Sequence, residues 1–177
     1  GACHTPKNML GGPKRDRFLH GGAYANWFAP DLTANARTGL GSWSQDEIAE
    51  FLKTGRNRHA SAAGEMGEAV VFSTSQLTPQ DRAAMVTYLT DQPASPAAPA
   101  PKLEQAALHR GEAIFQDECS ACHRMEGQGV ATQFPPLKGS ANLQQQDPTN
   151  TVLFILAGVR ATPTEAMPTP LTMPPFA

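Results

Sequence analysis

Apolar residues recur at helical spacing in four stretches of the chain, and each stretch has residues at its ends that start or stop a helix. Ser44 and Glu47 form a capping box before the first stretch, and Gly55 ends it. A threonine cap followed by proline, Thr78-Pro79, begins the second. The pattern therefore predicts an all-α fold. The four predicted helices cover approximately residues 44–55, 78–90, 103–115 and 147–158.

A segment rich in proline and alanine, residues 92–102, separates the first two of these helices from the last two. Such a sequence forms an extended, semi-rigid tether and does not contribute to a helical or sheet core. The helix that stops at Gly55 has a counterpart that stops at Gly158, which indicates an internal repeat. We therefore predict two domains, residues 1–91 and 103–177, joined by the linker 92–102.

Composition places the chain among ordinary soluble globular proteins, with 40% apolar and 17% charged residues in a length of 177. The 16 prolines and 15 glycines indicate small domains rich in loops. A net charge of −2 gives no electrostatic reason to expect a nucleic acid or an anionic membrane surface as a partner. The longest apolar run, 152–158, is too short to cross a bilayer, which needs about 20 residues.

Chemistry enters the picture at Cys119-Ser120-Ala121-Cys122-His123, where two thiols and an imidazole have the spacing of a c-type haem attachment site. In such a site Cys119 and Cys122 form thioethers with the haem, and His123 coordinates the iron. A zinc site or a thiol redox motif would also use two cysteines three apart. Zinc would need further ligands at a matching spacing, and Cys3 is the only other cysteine, so haem is the favoured interpretation.

The first four residues, Gly-Ala-Cys-His, match the same motif without its first cysteine. They predict a second haem site, with Cys3 as a thioether anchor and His4 as an axial ligand. A chance Cys-His pair at a terminus is the alternative. We expect that the natural protein extends beyond both ends of this sequence. The first motif lacks its first cysteine, and no counterpart of the helix at 78–90 follows Met173 in the second domain.

Upstream of the complete motif, Gly111 and Phe115 lie eight and four residues before Cys119 on a helix with one apolar side. This arrangement resembles the N-terminal helix of class I cytochromes c, which crosses the C-terminal helix above the haem. The resemblance implies a second feature. In cytochromes c, a proline carbonyl accepts a hydrogen bond from the axial histidine, and by analogy Pro30 would serve His4 and Pro136 would serve His123.

A methionine thioether usually occupies the other axial position in an electron-transfer haem, and the repeat helps to select it among six methionines. Met66 lies 36 residues after Pro30, and Met173 lies 37 residues after Pro136. Met167 lies only 31 residues after Pro136 and is the weaker alternative. The matched spacing favours Met66 and Met173 as iron ligands.

Several motifs together resemble the multihaem cytochrome c subunits of bacterial membrane-bound dehydrogenases, which act with alcohol, aldehyde or sugar and gluconate dehydrogenases. The resemblance covers almost the whole sequence and corresponds to the second and third of their usual three haem domains. It departs from the family in the missing first cysteine, first domain and C-terminal tail. The motifs that carry it are Cys3–Asn8, Trp27–Thr33, Thr38–Ser44, Cys119–His123 and Leu171–Phe176.

The resemblance implies two tandem class I cytochrome c domains with two haem c groups, and a third haem in the full-length protein. It implies that the chain is not itself an enzyme. Its expected partners are a dehydrogenase catalytic subunit and ubiquinone, on the periplasmic side of the bacterial inner membrane, with membrane association through segments outside this sequence.

Two other functional classes stay open at this point. A dihaem enzyme related to cytochrome c peroxidase would need one iron with an open or displaceable axial position. A haem-free module would use Cys119 and Cys122 for zinc binding or redox exchange. The residues alone favour two six-coordinate haems, which have no open position for a substrate.

Overall fold

Helices dominate the part of the chain that the computed structural model describes, residues 1–97, 99 and 102–176. This agrees with the predicted fold class, and the structure adds two small antiparallel ribbons, β1 with β2 and β3 with β4, that the pattern did not predict. In chain order the elements are β1 (Gly22–Tyr24), β2 (Trp27–Ala29), α1 (Gln45–Thr54), α2 (Gly64–Phe72), α3 (Pro79–Thr90), α4 (Gln105–Ile114), α5 (Ser120–His123), α6 (Thr149–Ala157), β3 (Val159–Arg160) and β4 (Thr172–Met173).

The first half is built around helices α1 and α3, both of which begin where the sequence predicted. The Ser44 hydroxyl accepts from the Glu47 amide and the Glu47 carboxylate accepts from the Ser44 amide, which completes the capping box of α1. Ile48 and Leu52 of α1 pack with Val86 of α3 in a small buried cluster. The rest of this half consists largely of loops and the ribbon β1–β2.

Helix α2 was not among the predicted helices. It follows Gly55, which ends α1 in the left-handed conformation with φ of +74°. The carbonyl of Gly55 accepts a hydrogen bond from the Ala62 amide at 2.7 Å, so the chain turns back before α2 begins at Gly64. Val70 of α2 is completely buried, which anchors the helix to the core.

The second half contains helices α4, α5 and α6 and the ribbon β3–β4. Helix α4 continues through a π-helical segment, Phe115–Cys119, into the short helix α5, so the cysteines lie on one nearly continuous helical run. Helix α6 ends at Gly158, as predicted, and β3 follows directly. Strand β4 pairs with β3 so that Met173 lies opposite Val159.

The linker is only partly described, because residues 98, 100 and 101 of the predicted segment 92–102 lie outside the described residues, as does Ala177 at the end of the predicted second domain. Its first part does not project freely into solvent. The Ser95 amide donates to the Thr33 hydroxyl at 2.9 Å, which holds the linker against the first half. Among the described residues, no helix combines the length and apolar character needed to cross a membrane.

Candidate haem-binding sites

His123 is held in a fixed orientation by a backbone carbonyl. The side chain is only 7% exposed, and its Nδ1 lies 2.8 Å from the carbonyl oxygen of Pro135. Because a carbonyl can only accept, Nδ1 carries the hydrogen, and the lone pair is left on Nε2. This is the tautomer that can bind a metal through Nε2, with the ring oriented by its other nitrogen.

The carbonyl that orients His123 belongs to Pro135 and not to Pro136, so the prediction of Pro136 was wrong by one residue. Pro30 and Pro136 each lie two residues after a phenylalanine, Phe28 and Phe134, and matching the halves on these phenylalanines selects Pro136. The structure instead matches Pro30-Asp31-Leu32 with 135–137, since the leucine at the end of each tripeptide makes an equivalent hydrogen bond. A comparison anchored on these leucines would have found the correct proline.

His4 has the partner that the sequence predicted. Its Nδ1 lies 2.7 Å from the carbonyl oxygen of Pro30, 26 residues away. Burial lowers the pKa of His4 below its ordinary value, and the hydrogen bond with Pro30 only partly opposes this effect. The neutral imidazole, which is the form that ligates metals, is therefore favoured.

The two histidines share a backbone frame as well as a carbonyl partner. The carbonyl of each histidine accepts from a glycine amide at 2.9 Å, and the amide of each matched leucine donates to the residue two positions before that glycine. That residue has positive φ in both halves. The corresponding pairs are His4 and His123, Leu19 and Gly127, Gly21 and Gly129, and Leu32 and Leu137.

Glycine is required in this frame by close backbone approach. A Cβ on Gly129, which has φ of +66°, would lie 2.3 Å from the Phe134 carbonyl oxygen. A Cβ on Gly21, with φ of +83°, would lie 3.0 Å from the Ala29 carbonyl oxygen. Both glycines therefore fix the loop that presents the proline carbonyl. The sequence pattern alone did not reveal this role, although each glycine precedes a proline loop.

The thiols beside His123 are free, and neither is enclosed. Cys119, at the end of the π-helical segment, is half-buried, and Cys122 of α5 is exposed. Burial raises the pKa of the Cys119 thiol, and nearby Glu118 and Cys122 add to the effect. Cys3, next to His4, is also free and half-buried. Each predicted anchor thus adjoins an oriented histidine.

The methionines favoured by the repeat lie on defined elements. Met66 is half-buried on α2, two residues after its first residue, and Met173 is half-buried on β4. A Cβ on Gly158, which has φ of +69°, would lie 2.7 Å from the Met173 carbonyl oxygen, so this glycine lets the methionine segment pack against the end of α6. The alternative, Met167, lies in a turn closed by hydrogen bonds with Thr164. The assignment of axial ligands stays a prediction.

The surroundings also fit a large apolar group with acidic substituents. Arg56 is only 4% exposed, and its Nε has no hydrogen-bond partner among the described residues. A buried guanidinium of this kind suits an anionic group such as a haem propionate. In the second half only Ala161 is a buried apolar residue within the described segments, whereas Ile114 and Val152 are largely exposed. A domain with so little core fits one in which a prosthetic group adds apolar contacts.

The zinc alternative needs four converging ligands. Within the segments that the structure describes, no three His, Cys, Asp or Glu side chains are grouped closely enough to hold a metal ion by themselves. The combination found twice is instead an oriented histidine next to a free cysteine.

Comparison with known families decides between these interpretations. The sequence model of the cytochrome c family matches residues 1–92 and 108–176. The chain belongs to the cytochrome c family. Its cofactor is accordingly haem c, with two in this chain, one for each matched segment. The predicted boundaries at residues 91 and 103 differ slightly from the matched segments and stay predictions.

Relatives of this cytochrome c extend the resemblance noted in the sequence. It is 35% identical to the cytochrome c subunit of the quinone-type alcohol dehydrogenase of Gluconobacter oxydans strain 621H, over 99% of the chain and 40% of the relative. It is 33% identical to the fructose dehydrogenase cytochrome subunit of Gluconobacter japonicus, over 92% of the chain and 38% of the relative. It is 30% identical to the gluconate 2-dehydrogenase cytochrome c subunit of Pantoea cypripedii, over 99% and 44%. The chain spans about two fifths of the length of these curated relatives.

Proposed function

We propose that this cytochrome c is the electron-transfer component of a dehydrogenase complex, which relays electrons from a separate catalytic subunit toward ubiquinone. Support comes from the relatives, which are named as cytochrome subunits of alcohol, fructose and gluconate dehydrogenases. The proposal includes a location on the periplasmic side of the bacterial inner membrane. It also includes the two predicted domains, residues 1–91 and 103–177, with 92–102 as their linker.

The observation that carries the proposal is the repeated frame around His4 and His123. Each imidazole donates from Nδ1 to a proline carbonyl, at 2.7 and 2.8 Å, and each is held in one orientation. A ring that is already oriented need not reorganise when a bound metal changes its charge. Two such sites in one chain suit a relay better than a single catalytic centre.

The residues around each site have distinct proposed roles. Haem c supplies, when bound, an iron that exchanges one electron between its ferric and ferrous states. Cys119 and Cys122 would attach the second haem, and Cys3 would attach the first. His4 and His123 would bind iron through Nε2, and Met66 and Met173 would be the other protein ligands of the two irons. The carbonyls of the matched prolines maintain the histidine tautomer.

The axial assignment is tested by replacing Met173 with alanine in the haem-loaded chain. We expect loss of the low-spin spectrum and of the methionine-to-ferric-iron charge-transfer band at the second site only. Met167→Ala is the matched control and should leave both sites unchanged. If Met167→Ala instead removes the band, the spacing argument has selected the wrong methionine.

The relay itself is tested by mixing the oxidised chain with a quinone-dependent alcohol dehydrogenase catalytic subunit and its substrate. Stopped-flow spectroscopy should show both sites reduced, and addition of a soluble ubiquinone analogue should reoxidise them. A pyridine haemochrome assay on the same preparation should give two covalent haems per chain. Rapid consumption of hydrogen peroxide by the reduced chain would instead favour the peroxidase alternative.

A further inference from the structure

A buried asparagine of the second half pairs with the backbone of the first half. Asn150, on α6, is only 7% exposed. Its Oδ1 accepts from the Phe28 amide at 2.9 Å, and its Nδ2 donates to the Phe28 carbonyl at 2.7 Å. One side chain thus satisfies both backbone groups of a β2 residue, as a neighbouring strand would. Two hydrogen bonds with this geometry fix the position of α6 along β2 as well as its distance from it.

An aromatic contact extends this surface toward the predicted ligand of the first site. The rings of Trp27 and Phe154 lie 5.6 Å apart between centroids, with an interplanar angle of 46°. Trp27 also covers the start of α2, because a Cβ on Gly64 would lie 2.7 Å from the indole ring. Met66 follows Gly64 by two residues. The indole therefore contacts both α6 and the helix that carries Met66.

A second set of contacts joins the halves on the other side of Met66. A Cβ on Gly67 would lie 1.8 Å from Oγ1 of Thr162, so α2 and the segment after β3 pack with no room for a side chain at this position. The Thr164 hydroxyl donates to the Thr54 carbonyl at 3.1 Å, and Arg56 Nη2 donates to the Thr169 carbonyl at 2.7 Å. Contacts with the second half therefore flank the Met66 segment.

These contacts fix the relative orientation of the two halves, which a tether alone cannot do. A proline- and alanine-rich linker limits the distance between two domains but does not fix their orientation, and relative motion is the default for joined domains. Here the buried amide of Asn150 would lose two hydrogen bonds on separation. The interface is polar at Asn150, aromatic at Trp27 and close-packed at Gly67, so it has one preferred register.

We propose that Asn150 is a positioning residue for electron transfer between the two haem sites. Its side chain holds α6 against Phe28 and so keeps the second half docked beside the helix of the first half that carries Met66. The inference rests on the proposed relay function and adds the means by which the relay is held together. In the step concerned, one electron leaves a ferrous site and reduces the ferric site of the other half. No proton is transferred and no bond is broken.

The test compares Asn150→Ala, Asn150→Asp and Asn26→Ala in the full haem-loaded chain. Asn26 is the matched control, since it is an exposed asparagine in the turn between β1 and β2, two residues before Phe28. Small-angle X-ray scattering gives the separation of the halves without reference to electron transfer. Photoreduction of one site followed by absorption spectroscopy gives the rate of redistribution between sites.

For Asn150→Ala we expect about a tenfold fall in the ratio of docked to separated molecules, the effect of one net buried hydrogen bond or somewhat more. The radius of gyration should rise and the redistribution should slow, while the spectra of both sites stay those of the parent chain. Asn26→Ala should match the parent chain in all three measurements. A chain with unchanged scattering and an unchanged rate after Asn150→Ala would overturn the proposal.

Asn150→Asp decides the matter if the alanine variant does not retain both haems. The aspartate keeps an acceptor for the Phe28 amide but places an oxygen against the Phe28 carbonyl, so it should separate the halves as alanine does. Unchanged scattering for this variant would equally refute the inference. The two proposals fail in different ways. If the chain does not accept electrons from a dehydrogenase, the proposed relay is wrong. If the halves of that chain still separate in Asn150→Ala, the docking role of Asn150 holds.

Discussion

Removing the side chain of Ser95 should destabilise the first half and release the start of the linker, because Ser95 belongs to a network of buried hydrogen bonds. Asp31 is only 4% exposed, and its carboxylate accepts from the Thr33 amide at 2.7 Å, from the Thr38 hydroxyl at 3.0 Å and from the Ser95 hydroxyl. Asn35 Nδ2 donates to the Ser95 carbonyl at 3.2 Å. The start of the linker is thus bound to a buried carboxylate one residue after Pro30.

Replacing Ser95 with alanine removes the bond that its hydroxyl donates to Asp31 and the bond that it accepts from Asn35 Nδ2 at 3.1 Å, but keeps the bonds of the Ser95 backbone. A hydrogen bond to a charged group contributes about 1.5 to 3 kcal/mol, and the lower end applies because Asp31 keeps two other donors. We therefore expect the free energy of unfolding to fall by about 1.5 to 2 kcal/mol. Asp31→Ala should cost about 3 kcal/mol or more, because it leaves several buried donors without their acceptor.

The assay is guanidinium unfolding of the haem-loaded chain, together with limited proteolysis. Local release of the linker should make residues 92–97 of Ser95→Ala more sensitive to a protease of broad specificity than those of the parent chain. Ser42→Ala is the matched control, since Ser42 is an exposed serine of the same half. If Ser95→Ala unfolds and is cleaved as Ser42→Ala is, the linker is not held by this network and the reasoning is wrong.

Two further predictions concern the first half. The Arg58 guanidinium beside Glu47 lowers the pKa of that carboxyl to about 2 from 4.5. The stability that Glu47 contributes is therefore complete above pH 4.5 and is lost as the pH falls toward 2. In Glu47→Gln, which keeps the capping box, thermal unfolding between pH 5 and 2 should show a smaller loss of stability. Gly67→Ala should destabilise the chain by about 1 to 3 kcal/mol through overpacking against Thr162, despite the better helix propensity of alanine.

Each of these predictions has its own control. For the carboxylate, Glu50→Gln on the same helix should leave the acid sensitivity as it is, and an equal loss of stability in Glu47→Gln and the parent chain would exclude the ion pair as its source. For the glycine, the double variant Gly67→Ala with Thr162→Ala should recover most of the stability. Additive effects of the two substitutions would mean that the clash with Thr162 is not what limits this position.

Local signals in the sequence were sufficient for much of the fold. The capping box at Ser44, the proline start of α3 and the glycine stops of α1 and α6 are decided within one or two turns, and the structure has each of them. Helix α2 was missed because it has no capping side chain and starts at a glycine, Gly64, which is held there by the overlying indole of Trp27. Tertiary packing, and not local propensity, sets that start.

At the site, the histidines and cysteines followed from the motif. The carbonyl partner of His123 could be identified only by knowing how the proline loop of the second half aligns with that of the first. Both Pro135 and Pro136 stand in the right loop, and only the hydrogen bond of Leu137 shows which carbonyl is presented. Asn150 could not have been found at all. Its function depends on a partner 122 residues away, and an asparagine in the first turn of a helix has no sequence signature of such a contact.

The unequal loops of the two repeats have a consequence for how the repeats are joined. The histidine and its proline are 26 residues apart in the first half but 12 in the second, and the ribbon β1–β2 lies inside the longer loop. The ribbon meets α6 of the other repeat, so unlike surfaces are in contact and the pair has no twofold symmetry. In such a head-to-tail contact the two repeats use different surfaces, so the two ends of the pair are not equivalent.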